Sequence, residues 1–545
     1  MKGNGVGHWR TLARLFWGRF FDTESLSPQS EPSANVVQAL GLLAVPGAFF
    51  VIICQTFSLG QWDLVAVRYW FVSFSMIAMA LLMVLEWDAL LPDQRDYQIL
   101  TPLPLRLSTL FLAKITALGL FLGVFLLDIN LLPAFLWPGI DGNPGTLRIM
   151  LAHIAVVVAA GLFSALSTAA LQGLLITLLP SRAYRGVSVS VQTLLMSVLV
   201  MFLFLTPILS TFIRKLASEG SIAACYFPPY WFIGLYERLR PATGNVYLLS
   251  LGRYAIWGLL AALGVFLLTY LPGYRLHARK LMDMPAPNPA GPGLPRKAVC
   301  NVLDRMLLRS PVERGVFHFM SQTITRSVKH RIFLATYGGF GAAFALTNLR
   351  SGHEGLIALP LTLSFILVTG LRAAFNFPSE LWANWVFQVS ESTSAHEYLA
   401  AMRKWIVACA ILPLYALLAV MEFAFFPWRA AVFHVAFGIT VSVLLMDILF
   451  FGFRKVPFTC ARFPGKINLA GLSVAYVLGL IYYSDGMARL ERWLGGMPVA
   501  LATFFVFAIG MRVLLAYWRK RYLAGTVLDY EDAGDPVVRT LELTA

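Results

Sequence analysis

VVQALGLLAVPGAFFVIICQTF, Val36–Phe57, holds no charged side chain. About 20 apolar residues in a helix cover the hydrocarbon thickness of a bilayer. In lipid every backbone N–H and C=O must find a partner within its own segment, so such a run is a helix. Working outward, runs of the same kind recur near 67–86, 108–136, 148–179, 186–212 and 251–274, then near 332–349, 354–375, 405–426, 429–452, 467–485 and 497–518. The expected fold class is an all-α integral membrane protein of about twelve transmembrane helices in two six-helix halves, with interfacial amphipathic helices beside them. Several first-half helices are expected to run beyond the bilayer, and two in the second half are short for it.

Composition agrees. Of 545 residues, 58% are hydrophobic and 13% charged, against roughly 45–50% and 25% in soluble domains. The net charge of +15 is assigned to Lys and Arg flanking the spans. No RNA- or DNA-binding motif is present, so nucleic acid is not an expected partner. Cys54, Cys225, Cys300, Cys409 and Cys460 are scattered, with no CxxC and no metal spacing. There is no HExxH and no His/Cys cluster for zinc. There is no phosphate loop either: Phe463-Pro464-Gly465-Lys466-Ile467 lacks the upstream glycine and the hydroxyl. The chain is therefore expected to be no enzyme and to bind no cofactor or metal. The first apolar run is too long for the core of a cleavable signal peptide.

Lys and Arg in the short loops orient the spans. Arg10, Arg14 and Arg19, then Arg95 and Arg106, Arg182 and Arg185, Arg403 and Lys404, Arg454, Lys455, Arg462 and Lys466, and Arg519, Lys520 and Arg521 fall on one side. Both termini are thus expected in the cytoplasm of a bacterial-type inner (plasma) membrane. The run PAPNPAGPGLP, Pro285–Pro295, cannot form a helix interior. The expected organisation is a first transmembrane half over 1–280, a linker over 281–314, a second half over 315–527 and a short acidic, disordered tail over 528–545. Each half opens with an amphipathic basic segment. In His8–Phe21 the residues Trp9, Leu12, Ala13, Phe16, Trp17 and Phe20 share a face, in the manner of a helix lying in the membrane interface. Gly315–Arg331 plays the same part less cleanly.

Each half also sets a polar, helix-compatible segment between its second and third spans, Glu86–Lys114 and Phe377–Lys404. Parallel repeats of this kind recur in transporters. In the first, Asp93, Arg95, Asp96 and Arg106 bring charge for docking, and Pro102 and Pro104 restrict the backbone. In the second, His396, Glu397 and Arg403 hold the comparable positions. The plainer reading is a cytoplasmic turn punctuated by prolines. The loops Pro180–Arg185 and Arg454–Lys466 follow the fourth span of each half and suit either a partner or anionic membrane lipid.

The stretch Asp96-Tyr97-Gln98-Ile99-Leu100-Thr101-Pro102-Leu103-Pro104, followed by Leu112-Ala113-Lys114, resembles ABC-2-type permeases, the membrane subunits of ATP-driven exporters. Many of these carry an acidic stretch, then Leu-x-x-x-Pro-Leu or Pro-Ile, then Ala-Lys or Gly-Lys opening the next span. Phe227-Pro228-Pro229-Tyr230-Trp231-Phe232, before the sixth span, looks like the re-entrant hairpin of that family, and the basic amphipathic start looks like its connecting helix. The resemblance covers the layout of the first half and implies a fused pair of permease-like halves. It implies a separate cytosolic ABC ATPase, holding ATP and Mg²⁺, docked on the segment between the second and third spans. It leaves open a homodimer or a self-sufficient two-half permease.

Ionisable groups inside spans are functional candidates by default. Asp128 lies well inside the third span and Asp447 toward the inner end of the tenth; Glu422, His153 and His434 also fall within spans. They either form a proton or ion relay or cap and pair at helix ends. Two alternatives to the exporter follow: a proton- or Na⁺-coupled secondary transporter using Asp128 or Asp447, and an integral membrane enzyme acting on lipid-linked substrates.

Overall fold

The computed structural model describes residues 5–21, 64–87, 107–137, 146–218, 225–239, 246–282, 304–379, 381, 384–390, 395–460, 469–523 and 528–530. Among them every regular element is helical. The chain divides into two compact units, one of Met1–Pro287 with Arg539–Ala545 and one of Asn288–Val538.

The first unit holds α1 (Gly5–Phe21), α2 (Leu64–Leu85), α3 (Leu107–Leu136), α4 (Thr146–Leu178), α5 (Ser181–Ser218), α6 (Pro228–Leu239) and α7 (Val246–Met282). The second holds α8 (Pro311–Arg326), α9 (Val328–Arg350), α10 (Gly352–Ala374), α11 (Trp385–Ser390), α12 (Ala395–Ile406), a π turn (Val407–Ile411), α13 (Leu412–Phe425), α14 (Trp428–Leu449), α15 (Leu469–Gly495) and α16 (Pro498–Leu523). The π turn has a local cause. Pro413 has no N–H to give Cys409, so the ladder slips to wider bonds just before it. Gly352, with φ of +68°, turns the chain between α9 and α10 in the left-handed region that favours glycine.

Among the described residues, ten helical stretches are long and apolar enough to cross a membrane: α2, α3, α4, α5, α7, α9, α10, α12 running into α13, α14 and α16. The chain is a helical, multi-pass membrane protein. The run near 36–58 lies outside the described residues. α15 has the length but carries Asp485, Arg489, Glu491 and Arg492 in its second half, so it is not among the ten. Of the first-half helices expected to outrun their apolar segments, α5 extends over 181–218 and α7 over 246–282, because polar residues beyond the apolar run continue the helix. Of the two second-half spans expected to be short, α9 covers 328–350 and α15 runs on to 495.

The two units pair their helices in the same way. In the first, α1 lies along α3, α2 packs on α3, α4 and α5, α3 packs on α4, and α4 packs on α5 and α7. In the second, α8 lies along α12, α10 packs on α13, α14 and α15, α13 packs on α14, and α14 packs on α15 and α16. Counting spans from each pre-span helix, these partners correspond, while α16 also packs on α15 and α12, pairings of an extent not seen between the matching described helices of the first unit. α6, wedged among α2, α4 and α7, has no counterpart among the described residues of the second unit. At twelve residues it is about 18 Å long, too short to cross.

α1 behaves as its pattern predicts. Leu12 and Phe16 are buried against Leu110, Ala113 and Ala117 of α3, with Trp9, Ala13 and Trp17 half-buried beside them, while Arg10 and Arg14 are exposed. The Lys114 ammonium sits 5.6 Å from the centre of the Phe16 ring.

Candidate functional site

The end of α2 is where the segment 88–106 departs. The six first-half candidates, Asp93, Arg95, Asp96, Pro102, Pro104 and Arg106, lie outside the described residues. What holds the departure point is described. The Gln192 side chain of α5 donates to the Val84 carbonyl at 2.9 Å, and Gln172 of α4 donates to the Trp87 carbonyl at 2.6 Å. The buried Trp87 indole donates to Ser188 at 2.9 Å. The last carbonyls of a helix have no partner inside it; here the fourth and fifth spans supply two.

In the second unit the corresponding segment is built into a block. Ser310 caps α8 by accepting from the Glu313 N–H at 3.1 Å, and the Glu313 carboxylate accepts from the Arg309 N–H at 2.8 Å. The same carboxylate takes Lys404 of α12 at 2.7 Å on both oxygens. Burial pushes the Glu313 carboxyl up, but Lys404 and the backbone N–H groups of Arg309 and Ser310 outweigh it and hold it below the usual carboxylate range. Glu397 accepts from the Ser310 hydroxyl at 2.7 Å, and the Trp405 indole donates to Ser321 at 2.8 Å. Tyr398, Leu399, Met402 and Trp405 face α8 and the core, which leaves His396 exposed. Of the three second-half candidates, Glu397 is thus tied to α8 and His396 is open. Arg403 is half-buried and lies within electrostatic reach of Asp447, Arg512 and Arg519.

The loop after α14 closes the block. Phe458 takes a φ of 68° and is buried. Its N–H donates to the Phe375 carbonyl at 3.3 Å and its carbonyl accepts from the Ser379 N–H at 2.9 Å. The Asn384 amide donates to the Thr459 carbonyl. The tail joins here too, against the expectation of disorder over 528–545. Leu528 is buried in the core of this unit, and the Asp529 N–H donates to the Arg454 carbonyl at 2.9 Å. A buried leucine and a satisfied backbone N–H fix these residues; those beyond 530 lie outside the described residues.

The intramembrane candidates divide. Asp447 is buried and paired, to Arg519 at 3.0 Å and Arg512 at 3.2 Å, so Arg512 does more than reach for the interface. Asp128 is half-buried, and its Oδ2 has no hydrogen-bond partner. They belong to different units. At the other end of each unit lies a further focus, of which the sequence reading named His153, Glu422 and His434 and missed Arg68, Glu237 and Glu491. In the first, Arg68 at the start of α2 pairs with Glu237 of α6 and lies 4.5 Å over the Tyr236 ring. The Trp137 indole donates to Tyr236 at 2.6 Å, and His153 of α4 stacks on Trp137 at 4.5 Å. In the second, His434 of α14 meets Glu422 of α13 at 2.6 Å and Glu491 of α15 at 3.3 Å, with all three buried. Glu491 has no periodicity to announce it, because it lies beyond the apolar run where its span was expected to end.

No arrangement of three or more His, Cys, Asp or Glu residues able to hold a metal ion is found among the described residues. No protein-family model, no curated protein and no solved structure matches the chain.

Proposed function

We propose that the chain is the membrane permease subunit of an ATP-driven exporter of the ABC-2 type, worked by a separate cytosolic ATPase. In this reading the ATPase holds the ATP and Mg²⁺. It docks on 88–106 in the first unit and on the α11–α12 segment in the second, with both termini in the cytoplasm of a bacterial-type plasma membrane. One observation carries the reading: polar bonds to neighbouring elements anchor the end of the second span in the first unit, through Gln172, Gln192 and Ser188, and the segment after the second span in the second unit, through Glu313 and Ser310. A docked motor needs such a rigid attachment to turn a local push into rigid-body motion of spans. The shared helix pairing supports treating both units as permease halves.

The test is a triple charge reversal, Asp93→Lys with Arg95→Glu and Asp96→Lys. The expected result is loss of the co-purifying ATPase from a chain that still elutes as folded protein. Normal recovery of the ATPase would remove the lever from this segment. The proton- or Na⁺-coupled alternative is favoured by the unpartnered oxygen of Asp128. Asp128→Asn abolishes transport in that alternative and leaves ATP-driven transport within about twofold in ours, since it removes only a charge the lever does not use.

A further inference from the structure

The membrane-buried histidines at the starts of α4 and α14 occupy corresponding places in the two units, yet their surroundings differ in charge. Around His153 one carboxylate, Glu237, faces one guanidinium, Arg68, and the histidine itself touches rings. Around His434 two carboxylates, Glu422 and Glu491, face one imidazole. Glu422 is 1% exposed, Glu491 4% and His434 6%. Glu422 Oε1 has no hydrogen-bond partner, and Glu491 Oε2 lies 3.3 Å from His434 Nε2 outside hydrogen-bond alignment.

Geometry limits where protons can sit. The His434 Nε2 lies 3.1 Å from the Ile357 carbonyl, which only accepts, so Nε2 carries a hydrogen. Pro360 sits one turn on in α10, where its ring disturbs the helical ladder and leaves that part of the backbone open to an outside donor. The proton between Nδ1 and Glu422 Oε2, 2.6 Å apart, therefore rests on one atom or the other. With both carboxylates and the imidazole ionised, the cluster would hold one negative charge in excess in a buried setting, where unpaired charge is costly.

The other ionisable groups on the packed elements do not repair this. On α9, Arg350 is exposed. On α10, His353 lies against Phe426, and Glu354 is taken by Arg492 of α15 at 2.9 Å on the surface. On α13 and α15, Tyr415 and Tyr483 bring hydroxyls that bond toward Ser442 and Ser364. On α14, Arg429 is exposed and lies over the Trp428 ring; on α15, Asp485 and Arg489 are exposed. The opening turns of α16, from Pro498 to Gly510, hold no ionisable residue.

We propose that Glu422, His434 and Glu491 form a proton-binding site inside the second unit, holding one more proton than ordinary ionisation gives them and so remaining neutral. The ligand class is the proton itself. The site does not depend on an ATPase driving the protein. Glu491 Oε2, 3.3 Å from Nε2, is the second carboxylate oxygen beside the imidazole.

The test is infrared absorption of the full chain in detergent at near-neutral pH, reading the carboxylic acid carbonyl band as differences between the unaltered protein and its variants. Removing either carboxylate leaves a neutral carboxylate–imidazolium pair, so Glu422→Gln and Glu491→Gln are each expected to lose one carboxylic acid. Removing the imidazole leaves two carboxyls with no cation, so His434→Gln is expected to gain signal, to about twice the amount the site contributes. Glu354→Gln, on the surface, is expected to change nothing. An unchanged band in both glutamine variants overturns the proposal, as does a falling band in His434→Gln. If none of the three substitutions folds, the unaltered protein decides: a carboxylic acid band that persists at neutral pH supports the site, and its absence overturns it.

Discussion

Glu313 shows how much a single buried carboxylate can hold together, and how little of that is visible in the chain. It caps its own helix and binds Lys404 far along the sequence, so replacing it by Gln removes charge-assisted bonds worth about 2 kcal/mol at neutral pH. Its carboxyl is held below the ordinary range. That contribution is therefore complete above the unfolded value of about 4.3 and is lost as pH falls through the folded value. Thermal unfolding in detergent should show Glu313→Gln melting well below the unaltered protein at neutral pH, with the two curves converging in acid. A gap that widens toward acid would contradict the ion pair. The Ser310-Pro311-Val312-Glu313 spacing of a capping box was on the page in the sequence, but Lys404 was not, because nothing local ties two residues so far apart. Glu491 and Phe458 were illegible for the same reason. One lies past its apolar run, and the other holds a left-handed backbone that only its burial and two backbone bonds explain.

Elements were legible in proportion to how strongly the bilayer dictates them. A span must be a long uncharged helix, so α2, α3, α4 and α14 could be placed from composition alone. Their ends could not, because outside the hydrocarbon no rule stops a polar helix, and α5 and α7 run on accordingly. The stretch from Phe227 to Phe232 was read by resemblance as a re-entrant hairpin; the structure has the single helix α6 there, and its closeness to α7 was not legible. A Cβ added at Gly234 would lie 2.3 Å from the Leu248 carbonyl oxygen, and one at Gly252 would lie 2.7 Å from that of Gly234. The two backbones touch there, in the close small-residue approach that membrane helices use. Gly234→Val is expected to leave little monodisperse protein, a loss of several kcal/mol. Gly123→Ala, with nothing within 4 Å of the added carbon, should melt at or slightly above the unaltered protein. Equal behaviour of the two variants in a thermal size-exclusion assay would mean that α6 does not sit against α7.

At the scale of the whole molecule, the layout repeat seen in the sequence reappears as a repeat of helix pairing, with α1 on α3 and α8 on α12, and α2 and α10 each packed on the third, fourth and fifth spans of their own unit. The pre-span helices, α1 and α8, mark the same point in both. The second unit has turned its segment, its loop at 450–460 and the first residues of its tail into one packed block. The exporter reading gives the anchored end of α2 and this block a purpose, which is to receive the push of a separate motor. It is tested most directly by purifying the chain from its native membranes in mild detergent and identifying what comes with it. The account predicts a cytosolic protein with a phosphate loop in stoichiometric amount, lost on charge reversal at Asp93, Arg95 and Asp96. Recovery of this chain alone, under conditions that keep other membrane complexes whole, would contradict it.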